Sequence, residues 1–342
     1  MATVETSVER GVGTILLNRP AALNALDASM YEGLTSVLDA WYDDPRVRAV
    51  TMRGAGKAFC AGGDVRFTLE TVRSGDAARV DELYRQEYGI DGLIHRYPKP
   101  IIAVIDGVCM GGGMGLAMHA QYRLVSERAL LAMPETELGF FPDCGVAWLL
   151  ARLRGAVGTY LALTGARLSA SDARRIGLAT HTLAADRVDD VERVVAACVE
   201  SADIDVALSE LGGDLPDSAL APNLAAIDET FALDSVPAIV AALERDGSAW
   251  AGATLATLRR MSPTALVVTL ELLRRERTMT LPRAFEFEGR LAGPLSHTGE
   301  YAEGVRAVII DKDRKPKWHP ARLEDVDHAA VMQLLDRAEA GT

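Results

Sequence analysis

The chain has 342 residues, 49% of them apolar and 25% charged, with a formal net charge of −12. That is enough apolar side chain for a large core, and the acidity speaks against general nucleic-acid binding, which needs a basic face. It leaves room for a phosphorylated small ligand, because local amides and a few cations can hold a phosphate. Four cysteines, Cys60, Cys109, Cys144 and Cys198, lie far apart with no C-x-x-C pair. That spacing predicts reduced thiols rather than a disulfide framework or a zinc site. The first twenty residues lack a basic region followed by an apolar run, and no stretch of 18 apolar residues occurs. A soluble, cytoplasmic protein with no membrane contact is expected.

In chain order, residues 4–8 alternate and 13–17 are apolar, with Gly11 between them, which predicts a hairpin. Asp27 is placed to cap a helix carrying Met30, Leu34, Val37, Leu38 and Trp41 at helical spacing. Residues 47–52 read as a buried strand. The loop 53–64 follows, with four glycines in twelve residues. A charged helix is predicted over 76–95, stopped by Pro98 and Pro100. Residues 101–105 read as a central strand, and 110–115 as a second glycine cluster leading into a helix. Strands are predicted at 122–126 and 129–133. Alternating strands and helices over the first ~200 residues indicate an α/β architecture. Beyond about 185 the pattern is helical, at 187–201, 222–246, 248–259 and 263–278. Gly212-Gly213 and Pro216 mark a linker within 201–217. A division into a core over 1–205 and a helical C-terminal region over 206–342 is expected.

Each glycine cluster follows a predicted strand. Glycine lets the main chain approach a ligand, helix N-termini present unpaired N–H groups, and two such amides aimed at one point make an oxyanion hole. Tight packing and turns are the commoner use of such clusters. Neither cluster fits a nucleotide motif: Gly54-Ala-Gly-Lys57 lacks P-loop spacing, and 111–116 ends in Leu116. The segment Met133-Pro-Glu-Thr-Glu-Leu-Gly-Phe-Phe-Pro-Asp143 sets three acids, Glu135, Glu137 and Asp143, among apolar residues. Such acids are candidates for raised pKa and acid–base work, and solvated charges or a helix cap are the plain alternative. No serine-hydrolase elbow or zinc motif is present in the sequence. Cys60 and His119 read as packing residues.

At these residues the sequence resembles a known superfamily. Lys57-Ala-Phe-Cys-Ala-Gly-Gly-Asp64 is similar to the first crotonase signature, and Ile105-Asp-Gly-Val-Cys-Met-Gly-Gly-Gly-Met-Gly-Leu116 to the second. The resemblance implies an α/β fold, a spiral of ββα units with a helical C-terminal region. It also implies an oxyanion hole from the amides of Gly63 and Gly112. Enoyl-CoA hydratases place one catalytic Glu in the second glycine motif and another about 20 residues later. Here those positions are Gly115 and Glu135.

Met-Pro-Glu-Thr and Phe-Pro-Asp instead resemble 3-hydroxyisobutyryl-CoA hydrolases, in which the matching Glu and Asp, here Glu135 and Asp143, line the acyl site. Glu87, before Tyr88, matches a further substrate-lining acid. Met261-Ser-Pro-Thr264, the 303–313 segment and Pro316-Lys-Trp318 resemble the long tail of those hydrolases, and Cys144-Gly-Val-Ala departs from their Gly-rich run.

The resemblance therefore implies hydrolysis of a hydroxyacyl-CoA thioester, as in valine degradation, with Glu135 and Asp143 catalytic. Gly112, Glu87, Glu135 and Asp143 would contact the substrate, and Lys57, Ala61, Asp64 and Arg66 are expected at the CoA. No metal and no cofactor beyond the CoA of the substrate is implied. Relatives often form trimers or hexamers, so a homo-oligomer is expected unless the tail covers that surface. The alternatives are a hydratase or isomerase working with Glu135 alone, and a non-catalytic acyl-CoA-binding protein. The cations Lys312, Arg314, Lys315, Lys317 and Arg322 crowd the tail, as CoA-phosphate partners or, more commonly, as a solvated basic face.

Overall fold

The computed structural model describes residues 3–198 and 201–341. The hairpin forms as expected from β1 (Val4–Glu9) and β2 (Val12–Leu17), which pair antiparallel through Arg10 and Gly11, both at positive φ. Asp27 caps the helix Ala28–Tyr42, its carboxylate accepting the Met30 amide. The next strands come in pairs: β3 (Ala49–Gly54) and β4 (Ala58–Cys60), β5 (Ile101–Ile105) and β6 (Val108–Met110), β7 (Tyr122–Ser126) and β8 (Leu130–Ala132). The first strand of each pair joins a six-stranded sheet, β1-β2-β3-β5-β7-β10, where β10 is His181–Leu183. The second joins a four-stranded sheet, β4-β6-β8-β9, where β9 is Leu168–Ser169. Within both sheets these paired strands run parallel. Each turn of chain therefore adds one strand to each sheet, with helices between turns, and this is the expected spiral of ββα units.

By contacts the chain groups into two compact units. One comprises Met1–Asp64, Gly89–Ala132 and Arg167–Ala221, and the other Val65–Tyr88, Met133–Ala166 and Pro222–Thr342. The grouping interleaves segments, so it differs in kind from a single cut at 205/206, and it divides the helix Ala77–His95 between Tyr88 and Gly89.

Among the described residues, all ten strands belong to the first unit. On one face of its larger sheet, Val12, Ile102, Val104, Leu124 and Leu183 pack with Val191, Val195, Ile204, Leu208 and Leu211. This explains one difference from the sequence. The boundary region 201–217 opens on a helix, Ser201–Ser209, whose Ile204 and Leu208 are core, while Gly212-Gly213 and Pro216 lie in an irregular stretch as expected. Their burial against the sheet outweighs the flanking glycines. The expected helix over 187–201 is shorter, Val191–Ala197, and its last residues, 199 and 200, lie outside the described part.

The second unit is helical. Its starts are written in the sequence as Ser or Thr caps, often followed by proline. Ser235, Ser248 and Ser262 accept the amides of Ala238, Ala251 and Ala265. The expected 222–246 helix is two, Leu224–Phe231 and Val236–Asp246, because Ser235 caps the second and Pro237 occupies its first turn. Further helices run Pro263–Glu276, Leu281–Ser296, Gly299–Val305 and His328–Ala340.

Candidate active site

In the first unit the two glycine clusters sit at the carboxyl ends of neighbouring parallel strands, β4 and β6. The segment 19–26 clamps the first cluster. Asn24, fully buried, donates from its amide to the carbonyls of Ala55 and Ala58, at 2.9 and 2.8 Å. The Leu26 amide donates to Gly62 O and the Asp64 amide to Leu26 O, each at 2.8 Å. These bonds belong to the residues on either side of Gly63, which bridges Leu26 in parallel, so the Gly63 N–H is turned away from Leu26. Gly112 is the first residue of the helix Gly112–Met118, where an N–H has no partner inside the helix. The clusters touch. A Cβ on Gly62, at φ +109°, would come 3.2 Å from Met110 O and 3.5 Å from Gly112 N. The structure thus brings the Gly63 and Gly112 segments together.

The residues expected at the CoA are less alike. Lys57 is exposed, and the Ala61 amide donates to Leu23 O at 3.0 Å. The Asp64 carboxylate is engaged by Arg19 at 2.9 Å. Arg66, in the helix Val65–Ser74 of the other unit, is exposed and donates to Ile309 O at 3.4 Å. In the tail, Lys312, Arg314, Lys315 and Lys317 are exposed, and Arg322 pairs with Asp325 at 3.2 Å. Cys60 is fully buried and accepts the Gly62 amide on sulfur, while His119 packs edge-to-face on His95.

The second unit gathers the acids. Glu135 opens a 3₁₀ turn, Glu135–Leu138, held from three sides. Thr136 Oγ1 donates to Leu163 O at 3.1 Å, Thr136 O accepts the Ser262 amide at 3.1 Å, and Gly139 closes the turn at φ +71°. Glu135 and Asp143 are both 7% exposed, and Glu135 Oε2 has no hydrogen-bond partner. Tyr88 donates its hydroxyl to Asp143 Oδ2 at 3.4 Å. Ligand atoms of Glu87, Asp143 and Cys144 lie within 4.8 Å of one another. Aromatic rings wall the acids: Tyr84 stacks with Tyr88 and with Phe140, and Phe140 with Phe141.

Burial holds the Glu135 carboxyl well above the usual carboxylate range, and the neighbouring charges of Asp143 and Glu87 push it the same way. Asp143 is raised by burial first, then by Glu87 and Glu288. Glu135 and Asp143 therefore keep protons to unusually high pH, with the Glu87 charge among the causes. Glu137, two residues from Glu135, is only half-buried. A cavity of about 660 Å³, lined among others by Thr264, Glu300, His319 and Asp327, contains none of these acids.

Residues 12–335 match the family described as enoyl-CoA hydratase/isomerase. The chain belongs to that family. A curated relative from Xenopus laevis, 3-hydroxyisobutyryl-CoA hydrolase, mitochondrial, is 42% identical over 323 residues, covering 92% of this chain and 83% of its own. Two solved structures share the family fold closely. A carnitinyl-CoA dehydratase from Mycobacterium thermoresistibile is 37% identical, with a TM-score of 0.92 over 98% of this chain and 96% of that one. An enoyl-CoA hydratase from Rhodobacter sphaeroides 2.4.1 is 35% identical, with a TM-score of 0.89 over 97% of each. In this member of the enoyl-CoA hydratase/isomerase family, sequence reasoning passed over two acids, Glu276 and Glu288, which are fully buried. Both sit among charges, in Arg-Arg-Glu-Arg and Glu-Phe-Glu, and look like surface residues. The available signal was helical phase: Glu288 shares a face with Ala284, Leu291 and Leu295, all buried.

Proposed function

We propose that this family member hydrolyses a short hydroxyacyl-CoA thioester, 3-hydroxyisobutyryl-CoA, to 3-hydroxyisobutyrate and CoA, a step of valine degradation. In this reading the thioester oxygen is stabilised by the amides of Gly63 and Gly112, and losing one such donor typically costs a rate factor of about 10²–10³. Glu135 either takes a proton from the attacking water or attacks the carbonyl itself to give an anhydride that water then cleaves. The proton goes to the departing CoA sulfur. Asp143 and Glu87 hydrogen-bond the hydroxyl of the acyl group and orient it.

One observation carries the choice of hydrolysis. Gly115 stands where hydratases of the resemblance place their first acid, while Glu135 is kept and lies in one buried cluster with Asp143. The names of the two solved relatives, a dehydratase and a hydratase, favour the second reading, hydration with Glu135 alone. Release of free thiol from 3-hydroxyisobutyryl-CoA, measured beside hydration of crotonyl-CoA, separates them. Efficient hydration without CoA release would sink the hydrolase reading, and inactivity on both with retained CoA binding would leave a binding protein.

The reading needs no metal and no cofactor. It includes a homo-oligomer, trimer or hexamer, which light scattering tests. It also includes a cytoplasmic location, supported by four cysteines that lie far apart in the sequence with no C-x-x-C pair, although the Xenopus laevis relative is named mitochondrial. Among the described residues no helix is long and apolar enough to cross a membrane.

A further inference from the structure

The reaction above makes no use of Glu276 and Glu288. They end and interrupt the apolar faces of two helices, Pro263–Glu276 and Leu281–Ser296, and both are 0% exposed. Counted as carboxylates, Glu276 Oε1 and Oε2 and Glu288 Oε1 find no donor. Yet the two side chains are hydrogen-bonded to each other. A bond between two carboxyl groups requires a proton on one of them, so the pair shares a proton.

The remaining oxygen, Glu288 Oε2, accepts the backbone N–H of Gly145 at 2.8 Å. Gly145 lies two residues past Asp143. It and Cys144 are consecutive left-handed residues, at φ +68° and +59°. A side chain such as that of Cys144 is disfavoured there, so outside bonds must hold the turn. The Val146 amide, donating to Asp143 O at 3.0 Å, is one such bond, and Glu288 supplies another.

We propose that Glu288 is a positioning residue for Asp143: sharing one proton with Glu276, it anchors the Gly145 amide and holds the Asp143-Cys144-Gly145 turn, which sets the Asp143 carboxyl beside Glu87 and Tyr88. The inference rests on the reading in which Asp143 orients the hydroxyacyl group.

The titratable groups facing the pair are Arg152 on the Glu276 side, and Glu87, Asp143 and Tyr88 on the Glu288 side. Arg152 itself donates to Met279 O at 2.6 Å and lies 3.9 Å over the Trp148 ring. Burial pushes Glu276 up to about 8, and burial, then the charge of Glu276 and the bond to it, hold Glu288 well above the usual carboxylate range. As pH passes about 8 Glu276 ionises first and Glu288 keeps its proton, donating it to Glu276 while its Oε2 stays on the Gly145 amide.

Two measurements test this. The first is amide hydrogen exchange over residues 143–146 in E288Q and E288L. Gln keeps an acceptor for Gly145 and a donor for Glu276, so exchange stays slow; Leu keeps neither, and exchange rises about tenfold or more. The second is KM from about pH 6 to 9 for the hydroxyacyl thioester and for the same thioester without its hydroxyl. Because Glu288 keeps its proton as Glu276 ionises, the wild type should hold KM for the hydroxylated substrate level across about pH 6 to 9, and E288L should raise it about threefold or more for the hydroxylated substrate alone. Unchanged exchange in folded E288L, or a wild-type KM that climbs above about pH 8 for the hydroxylated substrate alone, overturns the proposal. Should E288L fail to fold, the wild-type profile decides. If D143N leaves discrimination for the hydroxyl intact while E288L still speeds exchange, the role given to Asp143 falls and the anchor stands.

Discussion

Gly113 lies so close to Cys60 that a Cβ on it would come 2.2 Å from the Cys60 carbonyl oxygen. That contact seats the Gly112–Met118 helix against the end of β4, and the amide of Gly112 is placed by it. The obstacle is backbone, so it cannot swing aside as a side chain would. Gly113→Ala should therefore destabilise the fold by about 1–3 kcal/mol. In the fraction that folds, it should also lower kcat by shifting the Gly112 amide, one donor of the proposed oxyanion hole. Thermal unfolding and steady-state kinetics on the same preparation check both, and a variant with wild-type Tm and kcat would contradict the close approach.

The three acids of the 133–143 segment should separate by role. Glu135→Gln keeps shape and removes the carboxylate proposed to react, so kcat should fall by about 10² or more with little change in KM. Asp143→Asn retains some hydrogen bonding and should raise KM as well. Glu137→Gln should be near neutral. Turnover by Glu135→Gln close to wild type, in folded protein, would move the chemistry to Asp143 or Glu87.

The pH profile of kcat follows from the same cluster. In the proposed reaction Glu135 acts as a carboxylate, and burial with the charge of Asp143 holds its pKa well above 4.5. Activity should rise with pH along a limb whose midpoint is higher than an ordinary Glu would give. Asp143→Asn removes the second cause and leaves burial, so the limb should move to lower pH without returning to 4.5. A limb that stays put in Asp143→Asn would show that the two groups do not share charge.

Stability should fall as pH rises through the neutral range. Glu276 has a folded pKa of about 8 against 4.5 in the open chain, so between these values the folded state holds a proton that the unfolded state has released. Its contribution is complete below about 4.5 and lost as pH climbs to 8. Glu135, Asp143 and Glu288 are shifted in the same direction and steepen the fall. Asp106 has the opposite sign: hydrogen bonds from Arg128 and Ser126 outweigh its burial, and its contribution is lost only in acid, below its usual 3.8. Melting curves across this range should show Tm declining toward pH 8, less steeply in Glu276→Gln.

By itself the sequence determined the spiral core and marked the residues of the candidate site. Period-two strands, the Asp27 cap, the two glycine clusters and the acids at Glu135 and Asp143 are local features, and local chemistry writes them. It also set Gly115 where the resemblance expects a hydratase acid. Only the tertiary structure decided which charges are buried. Glu276 and Glu288 stand among arginines and other acids in the chain, and it is packing, which no window of sequence contains, that removes them from water and makes them share a proton. The helix Ser201–Ser209 shows the same limit from the other side: the glycines and proline beyond it mark the irregular stretch, but the helix itself forms because Ile204 and Leu208 had a sheet to cover. Burial is a property of the assembled fold, and both outcomes were set by burial.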